Sequence, residues 1–452
     1  MKKAHILITF LCIGLACGAP LFAQDALESE MEQIAEDARI QAAAQAPEVS
    51  AAPESTIEPE STAEEPQQQV QTILPMSEKP KRFFETGVDI NTGVANNALG
   101  FGDLFQKEIV LDIPAIRDKV GKNGMNLALP YSSGNIFLNV NIGELFGFGI
   151  FTRAEGNLTF TLGSALLDFL AEGNINNHDP SGEAISASGG VFMEAGLRGF
   201  LHLNRWTFTV SPSAFLPLVY IPKSNLNYTL NTSDAFTFGL DGKIDVYTPF
   251  SLDDGDVSTV TSSTSNMGFD VSLGAEFGFF DWLYVGGTVN HIPLIPSTLT
   301  HRMTITPDVS ITVKDPLSNA QIEPITELKR EYVTDANEPV SRPLTFDIYA
   351  KWQLINLSLL KLALKPNLGF TALTASRVPN FNWGVQADAR LLFLSFQLGT
   401  GLAQGVWKHH AGIGINLRII ELLAEVSLES TDFLSSFSAS GLGVGLGLRF
   451  GF

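Results

Sequence analysis

The chain ends in Gly441-Leu442-Gly443-Val444-Gly445-Leu446-Gly447-Leu448-Arg449-Phe450-Gly451-Phe452, a stretch that alternates strictly. Large apolar side chains occupy every even position, while glycines and Arg449 occupy the odd positions. Because successive side chains of a β-strand point to opposite faces, the stretch is predicted to be a strand with one entirely apolar face.

The same alternation recurs upstream, and this recurrence indicates the fold class. So many apolar faces have no single soluble core to meet, and in lipid only a closed barrel leaves no strand edge unpaired. The sequence therefore predicts an all-β, transmembrane outer-membrane β-barrel, with an edge strand of a soluble sandwich as the alternative for the last stretch. The predicted strands are 191–203, 206–220, 226–240, 244–250, 267–279, 283–291, 344–352, 361–370, 383–391, 394–402, 411–417, 422–428 and 442–452.

Strand number and orientation follow from the lengths of the connections. With one more strand from 146–162 the barrel has 14 antiparallel strands, and counting 83–95 and 135–143 as well gives the alternative of 16. Transmembrane barrels have short periplasmic turns and long external loops. The tight turns at 204–205, 240–243 and 280–282 are therefore expected to be periplasmic. The expected external segments are 221–225, 251–266, 292–343, 371–382, 403–410 and 429–441.

Composition and charge agree with this class. Charged residues make up 17% of the chain, below the roughly 25% of soluble domains, while 40 glycines and 32 phenylalanines are numerous. A net charge of −20 argues against nucleic acid as a partner. Beyond residue 23 no apolar run reaches the roughly 18 residues that a membrane helix needs.

The first 23 residues have the pattern of a secretory signal peptide, with Lys2 and Lys3, an apolar stretch and expected cleavage after Ala23. Both cysteines, Cys12 and Cys17, lie within it, so the mature chain is expected to contain no cysteine. A lipoprotein signal ending at Cys17 is the alternative.

Two segments separate this signal from the barrel. Residues 24–45 form an acidic amphipathic helical extension whose apolar stripe binds a periplasmic partner or, alternatively, belongs to a solvated tail. Residues 46–82 are a disordered linker rich in Pro, Glu and Gln, a composition that buries too little apolar surface to fold.

Residues 83–134 are the candidate plug, or hatch, and 135–452 the barrel. An alternating stretch at 88–94 precedes a helical spacing over 99–120 that Pro114 interrupts. Helices placed before most of the barrel suggest a plug inside the lumen. The alternative is a periplasmic helical hairpin or an external loop. A further short apolar helix is predicted at 163–173.

Motifs of catalysis and metal binding are missing from the sequence, which contains no zinc-helix, nucleophile-elbow, P-loop or dinucleotide pattern. His409-His410 is interpreted as an external rim pair. Asp253-Asp254-Gly255-Asp256 lacks the distal glutamate of a calcium loop and is interpreted as a solvated loop. We therefore expect no enzyme activity, no cofactor and no metal site.

The side chains of lumen-facing parity are the candidate binding residues. An anionic amphiphile suits a wall in which phenylalanines alternate with arginines. The alternative is that these charges pair within the barrel and stiffen its wall. The candidates are Phe151, Arg153, Phe192, Arg198, Phe200 and His202.

The signal, the helical segment before the main barrel, the strand number and the terminal Phe452 together resemble the FadL-type long-chain fatty-acid transporters, and the acidic extension resembles spirochaete variants. The resemblance implies a 14-strand barrel, an N-terminal hatch, an apolar ligand pocket and lateral escape of substrate through the wall. It also implies that the barrel-assembly machinery recognises Phe452. The family's hatch motif Asn-Pro-Ala is matched only in part, by Asn97-Ala98 and Ile113-Pro114-Ala115.

The function predicted from the sequence is outer-membrane transport of hydrophobic small molecules, in particular long-chain fatty acids, by passive diffusion through a plugged barrel in contact with outer-membrane lipid. One alternative is an open diffusion porin with a polar lumen. The other is a surface adhesin or structural barrel that binds host ligands through the segment 292–343.

Overall fold

The structure is a computed structural model that describes residues 82–100, 112–143, 145–172, 181–231, 236–251, 266–314, 321–357, 359–372, 380–403, 405–417, 419–437 and 440–452. The predicted signal peptide, helical extension and all of the linker except Arg82 lie outside these residues.

Eighteen strands and three α-helices make up the described part of the chain. The strands are β1 Phe84–Asn96, β2 Met125–Ile142, β3 Phe146–Leu162, β4 Ser181–Leu203, β5 Trp206–Asn231, β6 Phe236–Gly242, β7 Ile244–Thr248, β8 Gly268–Phe280, β9 Leu283–Ile295, β10 Ser297–Lys314, β11 Gln321–Val340, β12 Leu344–Asn356, β13 Leu360–Ala372, β14 Asn380–Leu391, β15 Leu394–Ala403, β16 Val406–Asn416, β17 Ile420–Ser430 and β18 Leu442–Gly451. The helices are α1 Ile113–Val120, α2 Ser164–Glu172 and α3 Phe433–Ser436.

Fourteen of the strands close into a barrel. Each pairs antiparallel with its neighbours in the order β1-β2-β3-β4-β5-β8-β9-β12-β13-β14-β15-β16-β17-β18, and β18 returns to β1. The predicted number of 14 is confirmed and the alternative of 16 is wrong. The membership differs, because β1 and β2 belong to the wall while the predicted strands 226–240 and 244–250 do not form wall strands.

The outer face of the barrel is apolar, as the alternation predicts. Leu446 of β18 keeps 58% of its surface exposed, and its cross-strand neighbours Ala424 and Ile90 face the same side. A closed antiparallel barrel that exposes such a face spans a membrane, and barrels of this class lie in the outer membrane of bacteria. None of the helices in the described ranges is long and apolar enough to cross a bilayer.

The two ends of the barrel differ in their connections. Phe84 and Phe452 meet at one end, where the Phe84 amide donates to the Phe452 carbonyl at 3.2 Å. Turns of two or three residues join β2 to β3, β4 to β5, β8 to β9, β12 to β13, β14 to β15 and β16 to β17 at this end, which we call the short-turn end. By the rule for this class the short-turn end is periplasmic and the opposite, long-connection end is external.

Beyond the wall, the long-connection end carries an external sheet. β4 and β5 have 23 and 26 residues, far more than the roughly 10 that span a bilayer. The far end of β5 pairs with β6, and β10 pairs with β6, β7 and β11. Two predicted loops are therefore corrected: 221–225 lies within the continuous strand β5, and 292–343 contains the hairpin β10–β11. A third, 403–410, is corrected as well, because β15 ends at Ala403 and β16 begins at Val406. The tight turn 240–243 joins β6 to β7 and is external, because neither strand belongs to the wall.

The candidate plug 83–134 is corrected in part, because two of its described segments are strands of the barrel wall. β1 and the start of β2 belong to the barrel wall, and their backbones are fixed by pairing with β18 and β3. Asp112 is the N-cap residue of α1, and its side chain accepts from the Ala115 amide at 3.1 Å. Pro114 occupies the first turn of the helix. α1 packs against α2 through Ile116, Val120 and Leu167 at the long-connection end. Residues 101–111 lie outside the described residues.

Candidate functional site

The interior of the barrel has two parts. A cavity of about 1930 Å³ opens at the short-turn end and continues along β15, β16 and β17 to the long-connection end, where Ala403 and Val406 line it. Each of the fourteen wall strands contributes to its lining. We call this part the open half. Beside β3, β4, β5 and β8, towards the long-connection end, the interior is filled by side chains, and we call this part the packed half.

The packed half is formed where the chain enters the barrel from the external sheet. Leu299 of β10 and Val340 of β11 are buried against Phe192 of β4 and Phe215 of β5, which point into the lumen. The following residues 341–343 then lead into β12. The base of the β10–β11 hairpin therefore lies inside the barrel, against the inner faces of β4 and β5.

Arg342 is the centre of the packed half and its side chain has no exposed surface. Its Nε and Nη2 donate to the two oxygens of Asp270 on β8, both at 2.8 Å. Nη1 donates to Glu194 Oε2 on β4 at 2.6 Å and to Glu155 Oε1 on β3 at 3.3 Å. Nη2 also donates to Ser213 Oγ on β5 at 3.1 Å. One guanidinium group thus binds side chains of four neighbouring strands.

A second arginine completes this buried cluster. Arg153 of β3 donates through Nε to Glu194 Oε2 at 2.9 Å and lies 3.7 Å from Glu155. Charged groups buried this deeply are tolerated only when they are paired and hydrogen-bonded. The Arg342 guanidinium also lies 5.0 Å from the ring of Phe215, at cation–π distance.

Two side chains of β9 hold the segment that follows Arg342. His291 Nδ1 of β9 donates to the carbonyl of Pro343 at 3.2 Å, and His291 has a φ of 58°. Asn290 donates to Thr345 Oγ1 at 3.1 Å across the β9–β12 pair. β9 therefore fixes the chain directly after Arg342.

Three of these side chains also have the composition of a metal site. Ligand atoms of Glu155, Glu194 and His291 lie within 4.8 Å of one another. Both carboxylates, however, already bind Arg342, and Arg153 lies against them. Two fixed positive charges at this distance repel a divalent cation, so we assign the carboxylates to the arginines.

All six predicted binding residues point inward, and the structure divides them into three groups. Phe151, Arg153 and Arg198 lie together, with the Arg198 guanidinium 4.8 Å from the Phe151 ring. Phe192 belongs to the apolar cluster around Leu299. The last two lie nearer the short-turn end: Phe200 lines the cavity, and the Nδ1 atom of His202 lies 3.1 Å from Thr207 Oγ1. Arg153 pairs with Glu194 and Glu155, as the alternative of charge pairing within the barrel predicts. A binding role for the six residues stays a prediction.

Sequence reasoning missed Arg342, Asp270 and Phe215. Asp270 could have been found from parity, since it alternates with its outward-facing neighbours Phe269 and Val271. Phe215 gives no such signal, because the next residue, Leu216, is buried as well. Arg342 gives no such signal because residues 341–343 follow no period.

The open half is lined by charges of both signs on different walls. On β12, β13 and β14 four cations and one carboxylate, Asp388, face the cavity, and we call the cations the basic patch; they are Lys351, Lys361, Lys365 and Arg390. On β17, β18 and β1 acidic side chains outnumber basic ones; those facing the cavity are Glu85, Asp89, Glu421, Glu425, Glu429 and Arg449. This separation of charge places an electric field across the cavity.

Comparison with known proteins gives structural likeness only. No protein-family profile matches the sequence, and no curated protein matches it. Among solved structures, the chain is similar to the toluene transporter TbuX of Ralstonia pickettii (TM-score 0.40, 9% identity, 82% of this chain and 90% of that one). It is also similar to the monoaromatic hydrocarbon channel CymD (0.41, 8%, 82% and 89%) and to the translocator domain of the autotransporter NalP from Neisseria meningitidis (0.32, 9%, 83% and 91%). At these values the function is argued from the chain's own residues.

Proposed function

We propose that this chain transports hydrophobic or amphiphilic small molecules across the outer membrane, with long-chain fatty acids among its substrates. The observation that carries the proposal is a pair of buried apolar clusters at the long-connection end, between wall strands, α2 and the external sheet. A hydrocarbon chain that arrives from outside meets apolar side chains there, and contact with them removes its surface from water.

These side chains form two buried clusters above the cavity. One joins α2 to the far ends of β4, β5 and β6, where Leu166, Tyr228 and Phe238 pack together and Phe238 stacks on Phe169 at 5.3 Å. The other joins β3, β4, β5, β7 and β10 through Leu158, Ala187, Ile221 and Val246. Both lie on the side from which an external substrate enters.

The packed half also argues against a wide aqueous tube. The Arg342 cluster binds together four adjacent strands and a segment inside the lumen, so water and ions have no open path along that wall. A substrate that enters beside these four strands would pass when side chains of the apolar clusters rearrange around it.

The test is uptake of oleate into proteoliposomes that contain the full chain, measured beside KCl conductance in planar bilayers. We expect oleate entry well above that of empty liposomes, together with low conductance. Replacing Phe238→Ala should slow oleate entry several-fold. Phe381→Ala, which removes a ring exposed on the outer face of β14, should leave it unchanged.

A diffusion pore for polar solutes is the second candidate, and the charged walls of the open half favour it. This candidate predicts high, steady KCl conductance and no oleate uptake. Such a result would contradict the hydrophobic-transport proposal.

A further inference from the structure

We propose that the basic patch of the open half is a binding site for anionic oxygen groups, either carboxylate or phosphate. The proposal stands apart from the hydrophobic cargo proposed above because it rests on the cavity wall alone.

The strand register brings the four cations together. Lys361 of β13 lies directly opposite Arg390 of β14 in the antiparallel ladder. Trp352 of β12 pairs with Leu364 of β13, so the adjacent positions Lys351 and Lys365 face each other on the inner side. Side chains directly opposite in an antiparallel pair have Cβ atoms about 5 Å apart.

Asp388, the carboxylate that lines the cavity on this wall, does not neutralise them. Asp388 receives Lys365 Nζ on one oxygen at 2.5 Å and Gln386 Nε2 on the other at 2.6 Å. Within the described residues Lys361 forms no ion pair, and Arg390 Nε donates to the carbonyl of Leu392 at 3.3 Å. The charges of Lys361 and Arg390 therefore remain uncompensated by a carboxylate.

Like charges placed directly opposite each other destabilise a sheet. An anion seated between Lys361 and Arg390 removes that repulsion, and the planar guanidinium can donate two parallel hydrogen bonds to a carboxylate or phosphate. The patch lies beside the turns of the short-turn end and opens to the cavity. An anionic group can reach it from the periplasm or, as the head of an amphiphile, through the lumen.

The experiment distinguishes these two sources on the full chain in a neutral detergent. Binding of inorganic phosphate is followed by broadening of its ³¹P NMR signal, and binding of radiolabelled laurate and dodecanol by equilibrium dialysis. The variants are Lys361→Gln/Arg390→Gln, the charge-preserving Lys361→Arg/Arg390→Lys, and the control Lys243→Gln, which removes a lysine of the external sheet.

We expect the Gln variant to weaken binding of phosphate, laurate or both at least tenfold and to leave dodecanol binding unchanged. The charge-preserving and control variants should bind as the unmodified chain does. Loss of phosphate binding alone assigns the patch to a free anion, and loss of laurate binding alone assigns it to an amphiphile head group.

Unchanged binding of both anions to the Gln variant would overturn the proposal. A competition experiment on the unmodified chain avoids the risk that a variant misfolds. Sulfate should reverse the broadening of the phosphate signal, whereas glucose at the same osmolarity should not. Failure of sulfate to compete would also overturn the proposal. If phosphate binds at the patch and neither laurate nor dodecanol binds anywhere, the anion site stands and the hydrophobic cargo fails.

Discussion

The packed and open halves of the lumen are built by the same strands but use charge in opposite ways. β8 contributes Asp270 to the packed half and Glu276 to the open half. Asp270 accepts from two guanidinium nitrogens of Arg342, Nε and Nη2. Glu276 instead lines the cavity and accepts from Tyr349 Oη at 3.3 Å. Position along a strand therefore decides whether a lumen carboxylate is held by an arginine or lies on the wall of the cavity.

The largest expected effect comes from removing the centre of the packed half. Arg342→Met leaves Glu155, Glu194 and Asp270 buried without their shared cation, which should cost about 3–5 kcal/mol of unfolding free energy. Tryptophan-monitored urea unfolding in lipid vesicles measures this loss.

The matched control is an arginine of the open half. Arg449 lies 3.7 Å from Asp89 at a site reached by water, so Arg449→Met should cost about 1 kcal/mol or less. Equal losses for the two variants would show that the halves do not differ in the way described.

A second comparison sets the two faces of one strand against each other. Leu398 of β15 is 66% exposed on the outer face, while the adjacent Gln397 lines the cavity opposite Asp388. Leu398→Arg should destabilise the barrel by about 2–4 kcal/mol because the charge enters lipid. Gln397→Arg should cost less than about 1 kcal/mol because water and Asp388 accept the new charge. The same vesicle unfolding assay compares them, and similar costs would mean that β15 does not face lipid.

The density of the packed half can be tested with a single added methyl group. A Cβ at Gly196 would lie 2.6 Å from the ring of Phe151 and 2.8 Å from the Pro212 carbonyl, whereas a Cβ at Gly134 meets no atom within 4 Å. Gly196→Ala should therefore cost about 1–3 kcal/mol, and Gly134→Ala about 0.5 kcal/mol or less. A neutral Gly196→Ala would indicate that the Phe151 ring, beside Arg153 and Arg198, is loosely packed.

The wall of the barrel could be predicted from sequence because lipid on one side imposes a period of two. The prediction was wrong for 226–240 and 244–250, because alternation identifies a strand but not its partner. The far end of β5, with β6 and β7, alternates as a wall strand does and yet pairs with β10. Loop lengths predict the orientation of the barrel only where the connection joins two wall strands. At 240–243 the rule failed, because this tight turn joins two strands of the external sheet.

The site was predictable only where it lies on wall strands. Arg153, Glu155 and Glu194 follow from parity, and their register makes Arg153 and Glu194 direct cross-strand neighbours. Arg342 could not be predicted, because its place depends on where a long hairpin returns to the barrel. The basic patch contains Lys361 and Arg390 at alternating positions, but their opposition depends on a register that only the structure gives.

The smallest expected effect lies outside both halves, in the external sheet. Asp245 of β7 accepts from Thr304 Oγ1 of β10 at 2.7 Å, and Lys243 Nζ lies 3.1 Å from its other oxygen. Burial opposes ionisation, but the hydrogen bond and the lysine outweigh it, so the pKa of Asp245 lies below its usual value. Asp245→Asn should cost about 1 kcal/mol at pH 7.

The pH dependence of that loss tests its origin. A carboxyl whose pKa is lowered by folding contributes its full stability above the unfolded pKa of about 3.9 and loses it as the pH falls through the folded pKa. The difference in unfolding free energy between the unmodified chain and Asp245→Asn should therefore be constant from pH 7 to about pH 5 and shrink below pH 4. A difference that stays constant to pH 3 would show that hydrogen-bond geometry, rather than the charge of Asp245, ties β7 to β10. The external sheet would then be held by neutral contacts, unlike the packed half beneath it.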